Sequence, residues 1–188
     1  MIYRYMFRGY PNTFDIKIKN NPDVNNVSVF RYENSVLVYA ESKFQNIKGE
    51  DFIDADMKMY PDGSMWENMA DIFHYSAPQS DESWERKQPK EPLLRVNKLH
   101  HDKVSGYIYY HYQYQEEIPC DGDKYGIIFI SGDFIFMYLE SPEEYAEKYK
   151  GSLDTHACPV RVNWDEIMHK HFDMSFSAGK WLEVERIL

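Results

Sequence analysis

Two stretches of the chain alternate apolar and polar residues on either side of a two-residue break. VSVFRYENSVLVYAES (27–42) breaks at Glu33-Asn34, and IIFISGDFIFMYLES (127–141) breaks at Gly132-Asp133. Alternation with a period of two puts successive side chains on opposite faces of an extended backbone, and breaks of this composition are hairpin turns. The two hairpins are also alike. With Tyr39 set on Tyr138, Phe30 falls on Phe129, Glu41 on Glu140 and Ser42 on Ser141. The chain therefore reads as an internal repeat.

The likeness extends beyond the hairpins. WENMADIF (66–73) follows the first and WDEIMHKHF (164–172) the second. Trp66, Met69 and Phe73 stand at i, i+3 and i+7, and Trp164, Ile167, Met168 and Phe172 keep a similar spacing, which is the stripe of an amphipathic helix. LLRVNKL (93–99) and WLEVERIL (181–188) alternate as closing strands, and IYRYMFRG (2–9) and YIYYHYQY (107–114) match as opening strands. The order strand, connection, hairpin, helix, strand predicts an α+β fold of two ferredoxin-like repeats, residues 1–100 and 101–188. Their antiparallel sheets are expected to form an intramolecular, pseudo-dimeric α+β barrel. The first helix usual in such a repeat is missing from both halves, because NTFDIKIKNNPD and QEEIPCDGDK are rich in turn residues. Segment 74–92 reads as a loop insertion of the first repeat, of the kind that often forms a lid.

Period two also divides the opening strands into faces. Tyr107, Tyr109, His111, Gln113 and Gln115 point one way, against Ile108, Tyr110, Tyr112 and Tyr114; Arg4, Met6 and Arg8 oppose Tyr3, Tyr5 and Phe7. With the aromatic faces buried under helices, Arg4, Arg8, Tyr109, His111, Gln113 and Gln115 line an interior that would bind a polar small molecule through several hydrogen bonds. The alternative is that these side chains satisfy one another. His111 is the acid/base candidate, since imidazole titrates near neutral pH. Asp71 and His74, three apart on a predicted helix face, form a second pair in which the carboxylate orients the ring. A histidine satisfying free carbonyls at a helix C-terminus is the competing reading.

Charge and composition then remove whole classes. Thirty-one Asp and Glu against 21 Lys and Arg leave a net charge of −10, which repels phosphate backbones and anionic lipid, and no basic stripe interrupts it. Neither nucleic acid nor a membrane is an expected partner. No apolar run approaches the roughly 20 residues of a membrane span. The first eight residues carry two arginines and no apolar core follows, so no signal peptide is read there and the cytoplasm is the default compartment. Cys120 and Cys158 form no C-x-x-C, while His100-His101 and His169/His171 lack ligand spacing, so no metal is expected. P-loop, G-x-S-x-G and dinucleotide fingerprints are absent, and no cofactor is expected.

The hairpin ending in an acidic residue, the Trp66-x-x-Met69-x-Asp71-Ile72 segment and a closing Leu-x-x-Val strand resemble L-rhamnose mutarotase and its dimeric α+β barrel relatives. The resemblance covers nearly the whole chain as a pattern in two copies, of which only Trp164 and apolar positions survive in the second Trp-led segment. It implies a site built from a His on the first helix and aromatic residues that hold the sugar, with Trp66 as a stacking candidate. Both connections read as loops, so the pattern assigns that helical His to no residue here. The expected function is a cofactor-independent sugar mutarotase or isomerase, monomeric or homodimeric, acting on a small polar carbohydrate with His111, Asp71 and His74 in acid/base roles. The alternative is a non-catalytic small-ligand-binding or sensing protein. By analogy of fold alone, a cofactor-independent monooxygenase or a haem-handling protein stands third.

Overall fold

The computed structural model describes residues 2–78, 80–146 and 163–188. In chain order its elements are β1 (Tyr3–Gly9), β2 (Lys17–Ile18), β3 (Val24–Tyr32), β4 (Ser35–Ser42), β5 (Ile53–Asp54), β6 (Glu67–Asn68), β7 (Ala70–His74), α1 (Asp81–Trp84) and β8 (Glu91–Lys98). There follow α2 (Val104–Glu117), β9 (Ile127–Ser131), β10 (Phe134–Ser141), α3 (Trp164–His169), α4 (Met174–Ser177), β11 (Leu182–Glu183) and β12 (Glu185–Arg186). The α+β class with antiparallel sheets and few helices is as the alternation indicated. Both hairpins form in the expected register, closing at Tyr32 opposite Ser35 and at Ser131 opposite Phe134. Their turns need a positive φ at the first turn residue. Gly132 adopts it at 59° without hindrance, and Glu33 adopts it at 54° against its own Cβ.

The strands make two five-stranded sheets, ordered β12-β3-β4-β1-β6 and β11-β8-β10-β9-β7, with a small β2-β5 ribbon apart from them. Among the described residues each large sheet is open, with an edge strand at either end, and neither closes into the expected barrel. The chain divides into two compact units: unit 1 holds Met1–Ala70, Pro78–Gln88 and Val184–Leu188, and unit 2 holds Asp71–Ala77 and Pro89–Glu183. Each unit thus completes its sheet with a strand from a distant part of the chain, β12 beside β3 in unit 1 and β7 beside β9 in unit 2.

Three sequence readings are corrected. YIYYHYQY is not an opening strand: it lies within helix α2. Tyrosine at five of eight positions satisfies a period of two and a period of 3.6 equally, and the residues that turn inward, Tyr107 and His111 buried with Tyr114 half-buried, follow the helical one. Residue 111 therefore shares no face with 109 and 113. The helix stops at Ile118, where Pro119 cannot continue it.

WENMADIF is not a helix but β6 and β7. Met69 N donates to Met6 O at 2.9 Å as β6 lies along β1, after which the chain leaves that sheet to border β9. This change of sheet breaks the alternation and spaces the buried residues three apart, in imitation of a helix. LLRVNKL, finally, is the first strand of its repeat rather than the last. β8 pairs with β10 as β1 pairs with β4, Leu94 opposite Tyr138 where Met6 lies opposite Tyr39. The counterpart of Trp66-Glu67-Asn68-Met69 is then Trp181-Leu182-Glu183-Val184, for Glu67 lies opposite Arg8 and Leu182 opposite the equivalent Val96. Helix α3 forms where WDEIMHKHF predicted one.

The cores follow from what covers each sheet. In unit 1, Phe7, Val29, Val36 and Val38 meet Ile16, Phe52, Ile53 and Trp66, supplied by the β2-β5 ribbon and the loops around it. In unit 2, Ile72, Ile128 and Ile135 meet Tyr107, Met168 and Phe172, supplied by α2, α3 and the turn after it.

Candidate functional site

His111 lies at the centre of unit 2's aromatic cluster. Its ring centroid is 4.1 Å from that of Tyr107, 4.8 Å from that of Trp164 and 4.9 Å from that of Phe73. Tyr114 closes the group, 4.8 Å from Trp164 and 6.0 Å from Phe73. The three elements that bring these side chains together are α2, with Tyr107, His111 and Tyr114 at i, i+4 and i+7; the N-terminus of α3, with Trp164; and β7, with Phe73.

The tautomer of His111 is set by its own helix. Nδ1 lies 2.9 Å from the Tyr107 carbonyl oxygen, which can only accept, so Nδ1 carries the proton and Nε2 keeps a lone pair. Only 3% of the residue is exposed, and burial, with a smaller push from His171, lowers its pKa to about 4 against the opposing bond to Tyr107. At neutral pH it is an uncharged base. Burial also raises the Tyr107 hydroxyl well above its ordinary value. His171 repeats the device, with Nδ1 2.8 Å from the Ile167 carbonyl. Its ring edge rests on α2 at Gly106, where a Cβ would come within 3.0 Å of Nε2.

Asp71 and His74 do meet, Oδ2 to Nδ1 at 2.9 Å, at the end of a strand and not on a helix face. Asp71 is steadied by Phe73 N, and His74 N donates to Gln115 Oε1 at 3.0 Å, so these three of the sequence-selected residues come together. The others disperse. In unit 1, Arg4 donates from Nε to the Tyr39 hydroxyl, Arg8 lies 5.3 Å over the Tyr10 ring, and Trp66 is buried in the core against Gly9 and Gly49. In unit 2, Tyr109 is 62% exposed and Gln113 bonds to Glu117 one turn on. Phe73, Tyr114 and Trp164 as neighbours of His111 were missed; a helical reading of 104–118 would have placed Tyr107, His111 and Tyr114 on one stripe. Cys120 is buried, and Cys158 lies outside the described residues. Among the described residues no group of three or more His, Cys, Asp or Glu is placed to hold a metal ion. Nor is any helix there long and apolar enough to cross a membrane.

Unit 1 carries a different cluster. Glu41, on β4, is 3% exposed and accepts from the Tyr39 hydroxyl at 2.8 Å, the Trp84 indole N–H at 3.2 Å and both terminal nitrogens of Arg86 at 2.7 Å. Burial pushes the Glu41 pKa up, but the Arg86 fork, the Arg4 charge and the Tyr39 bond outweigh it and hold the carboxyl below its usual range. Unit 2 repeats the inner half of this arrangement, Tyr138 donating to Glu140 at 2.9 Å.

Compared with known proteins, the chain matches no family model, no curated protein and no solved structure.

Proposed function

We propose that the protein is a cofactor-independent mutarotase or isomerase of a small, sugar-like carbohydrate, working at His111. The observation that carries this reading is the place of that histidine: on the helix between the first strand and the hairpin of its repeat, ringed by aromatic side chains. There the resemblance to L-rhamnose mutarotase implies a His and sugar-holding aromatics, and helix α2 supplies the element that the sequence pattern lacked. The strand order supports the reading of each repeat as ferredoxin-like as well. Counted within each repeat, both sheets run fourth, first, third, second, the order of a ferredoxin-like unit, and each gains a fifth strand from the other repeat.

Interconversion of anomers needs one proton taken from the anomeric hydroxyl and one delivered to the ring oxygen as the bond between the anomeric carbon and that oxygen breaks. Nε2 of neutral His111 does the first, and the imidazolium so formed returns the same proton to the ring oxygen; the open-chain aldehyde recloses by the reverse steps on its other face. A pKa near 4 makes His111 a modest base and a correspondingly strong acid for the return step. Aromatic rings pack on the C–H face of the sugar. Because His111 is almost fully enclosed, the substrate reaches it only when a ring of the wall, foremost half-buried Trp164, turns aside. The same enclosure favours the second reading, a non-catalytic ligand-binding or sensing protein.

Magnetisation-exchange NMR between the anomers of a panel of aldoses tests the proposal. Faster exchange for one sugar, lost in His111→Gln with an unchanged near-UV spectrum, is the expected result. No acceleration across the panel, with saturable binding, would leave the binding-protein reading standing alone.

A further inference from the structure

The helices of unit 2 cover only part of the sheet face they pack on. Ile135 and Met137 on β10, and Leu99 just past β8, belong to the core under α2 and α3, which puts the odd-numbered residues of both strands on that side. Asn97 and Ile135, opposite one another, are buried there. One pair further along, Arg95 and Met137 are half-buried, as are Leu93 and Leu139 beyond them. The roof stops between Asn97 and Arg95.

Two side chains at that boundary have donors that no described residue uses. Asn97 is 0% exposed; its Oδ1 accepts from Lys98 N at 2.8 Å, with Ser177 Oγ 3.2 Å away, while Nδ2 has no partner. The bond from Lys98 N identifies which end of the amide is oxygen. It also turns that oxygen toward the C-terminal end of β8, so Nδ2 lies on the side of Arg95. Arg95 stands two residues back on the same face, about 6.6 Å along the strand, and makes no hydrogen bond, ion pair or ring contact with a described residue. Glu183 lies opposite Arg95 on β11, yet it is exposed and forms no bridge to it. A buried donor without an acceptor is costly, and here it sits beside a guanidinium that is also unpaired.

From these observations we infer that the open end of this face binds a small carboxylate with an apolar body. The Arg95 fork meets the carboxylate, Asn97 Nδ2 donates to one of the same oxygens, and the body lies on Leu93, Met137 and Leu139. Both polar groups offer donors only, one of them charged, which selects an anion; the apolar floor selects one that carries carbon over an inorganic ion. Because Asn97 is fully buried, its amide is reached by the slim end of a small molecule once the flexible Arg95 stem swings outward, and a protein surface would stop at Arg95. The net charge of −10 opposes an anion at long range, so affinity rests on these short contacts. The inference does not depend on the chemistry proposed at His111.

The test titrates the full chain with hexanoate, its neutral counterpart hexanamide, acetate and sulfate, reading affinity by calorimetry and location by NMR of the Asn97 side-chain amide and the Met137 methyl group. Hexanoate is expected to bind at least tenfold more tightly than each of the other three and to move both signals. Arg95 is half-buried and bonded to nothing described, so its variants should fold. Arg95→Gln should abolish the preference for hexanoate over hexanamide, and Arg95→Lys, which keeps the charge and gives up the fork, should retain part of it. Glu183→Gln removes the carboxylate that competes for Arg95 and should tighten hexanoate severalfold. Equal affinity for hexanoate and hexanamide, or unchanged hexanoate binding in Arg95→Gln, would overturn the inference. So would sulfate binding as tightly as hexanoate, the mark of an adventitious ion only, or an Asn97 amide signal that stays in place at saturation.

Discussion

Units 1 and 2 have the same sheet and different roofs. Each arranges its strands in the same order around the same hairpin, and each sets a tyrosine hydroxyl on a buried glutamate two residues away. Over unit 1 the apolar face is closed by a two-stranded ribbon and loops, over unit 2 by helices. The buried charges differ accordingly. Glu41 meets a guanidinium fork, whereas unit 2 gathers Lys90 and Lys124 around Glu144, beside an Asp123 whose pKa is raised by burial above all. A repeat can thus keep its sheet and still differ in what it buries, because the sheet needs only alternation, while the buried polar groups depend on whatever covers it. Helix α2 gives unit 2 a buried imidazole; in unit 1, residues 10–23 run to short β2 and place no helix there.

Truncating the equivalent tryptophans should separate the two roofs most sharply. Trp66→Ala removes a buried core side chain and is expected to cost about 3–5 kcal/mol, and Trp181→Ala, already partly solvated, about 1–2 kcal/mol, read from urea unfolding. Equal losses would show that the two positions are energetically alike. Acid titration should come next in size. The folded pKa of His111, about 4, lies below the unfolded value near 6.5, so the unfolded chain binds more protons in that window. The stability due to the neutral ring is complete above about pH 6.5 and falls by about 3 kcal/mol as pH drops to 4. His111→Phe should flatten that part of the stability profile; an unchanged profile would place the acid sensitivity elsewhere. The two turns supply the smallest contrast. Glu33→Gly should stabilise by about 0.5–1 kcal/mol and Gly132→Ala destabilise by about 1 kcal/mol, since both positions hold positive φ and one alone has a residue suited to it. Thermal unfolding would show the opposite shifts in melting temperature.

What the sequence disclosed and what it hid divide along physical lines. The hairpins, β1 and α3 were legible because a single period ran through each. Residues 107–114 were misread because tyrosine serves either period, and only the tertiary position of α2 decides between them. Residues 66–73 imitated a helix because the chain changes sheets near residue 69. Asp71 and His74 do meet, but the helix face from which their pairing was argued does not exist, since the backbone between them is extended. Nothing local could announce that Arg86 reaches Glu41, since their attraction is fixed by a fold that joins residues 45 positions apart.

The strand that β3 receives from residues 185–186 also bears on how the molecule is made. Val29 exchanges backbone bonds with Ile187 and Leu188 beyond that strand, so the β3 side of unit 1 is finished by the residues synthesised after all of its other parts. Until then a nascent chain displays an unpaired edge beside a completed hairpin, a template for association with a neighbour on the same message. Translation speed through the second repeat, which sets how long that edge stays bare, is therefore a determinant of yield.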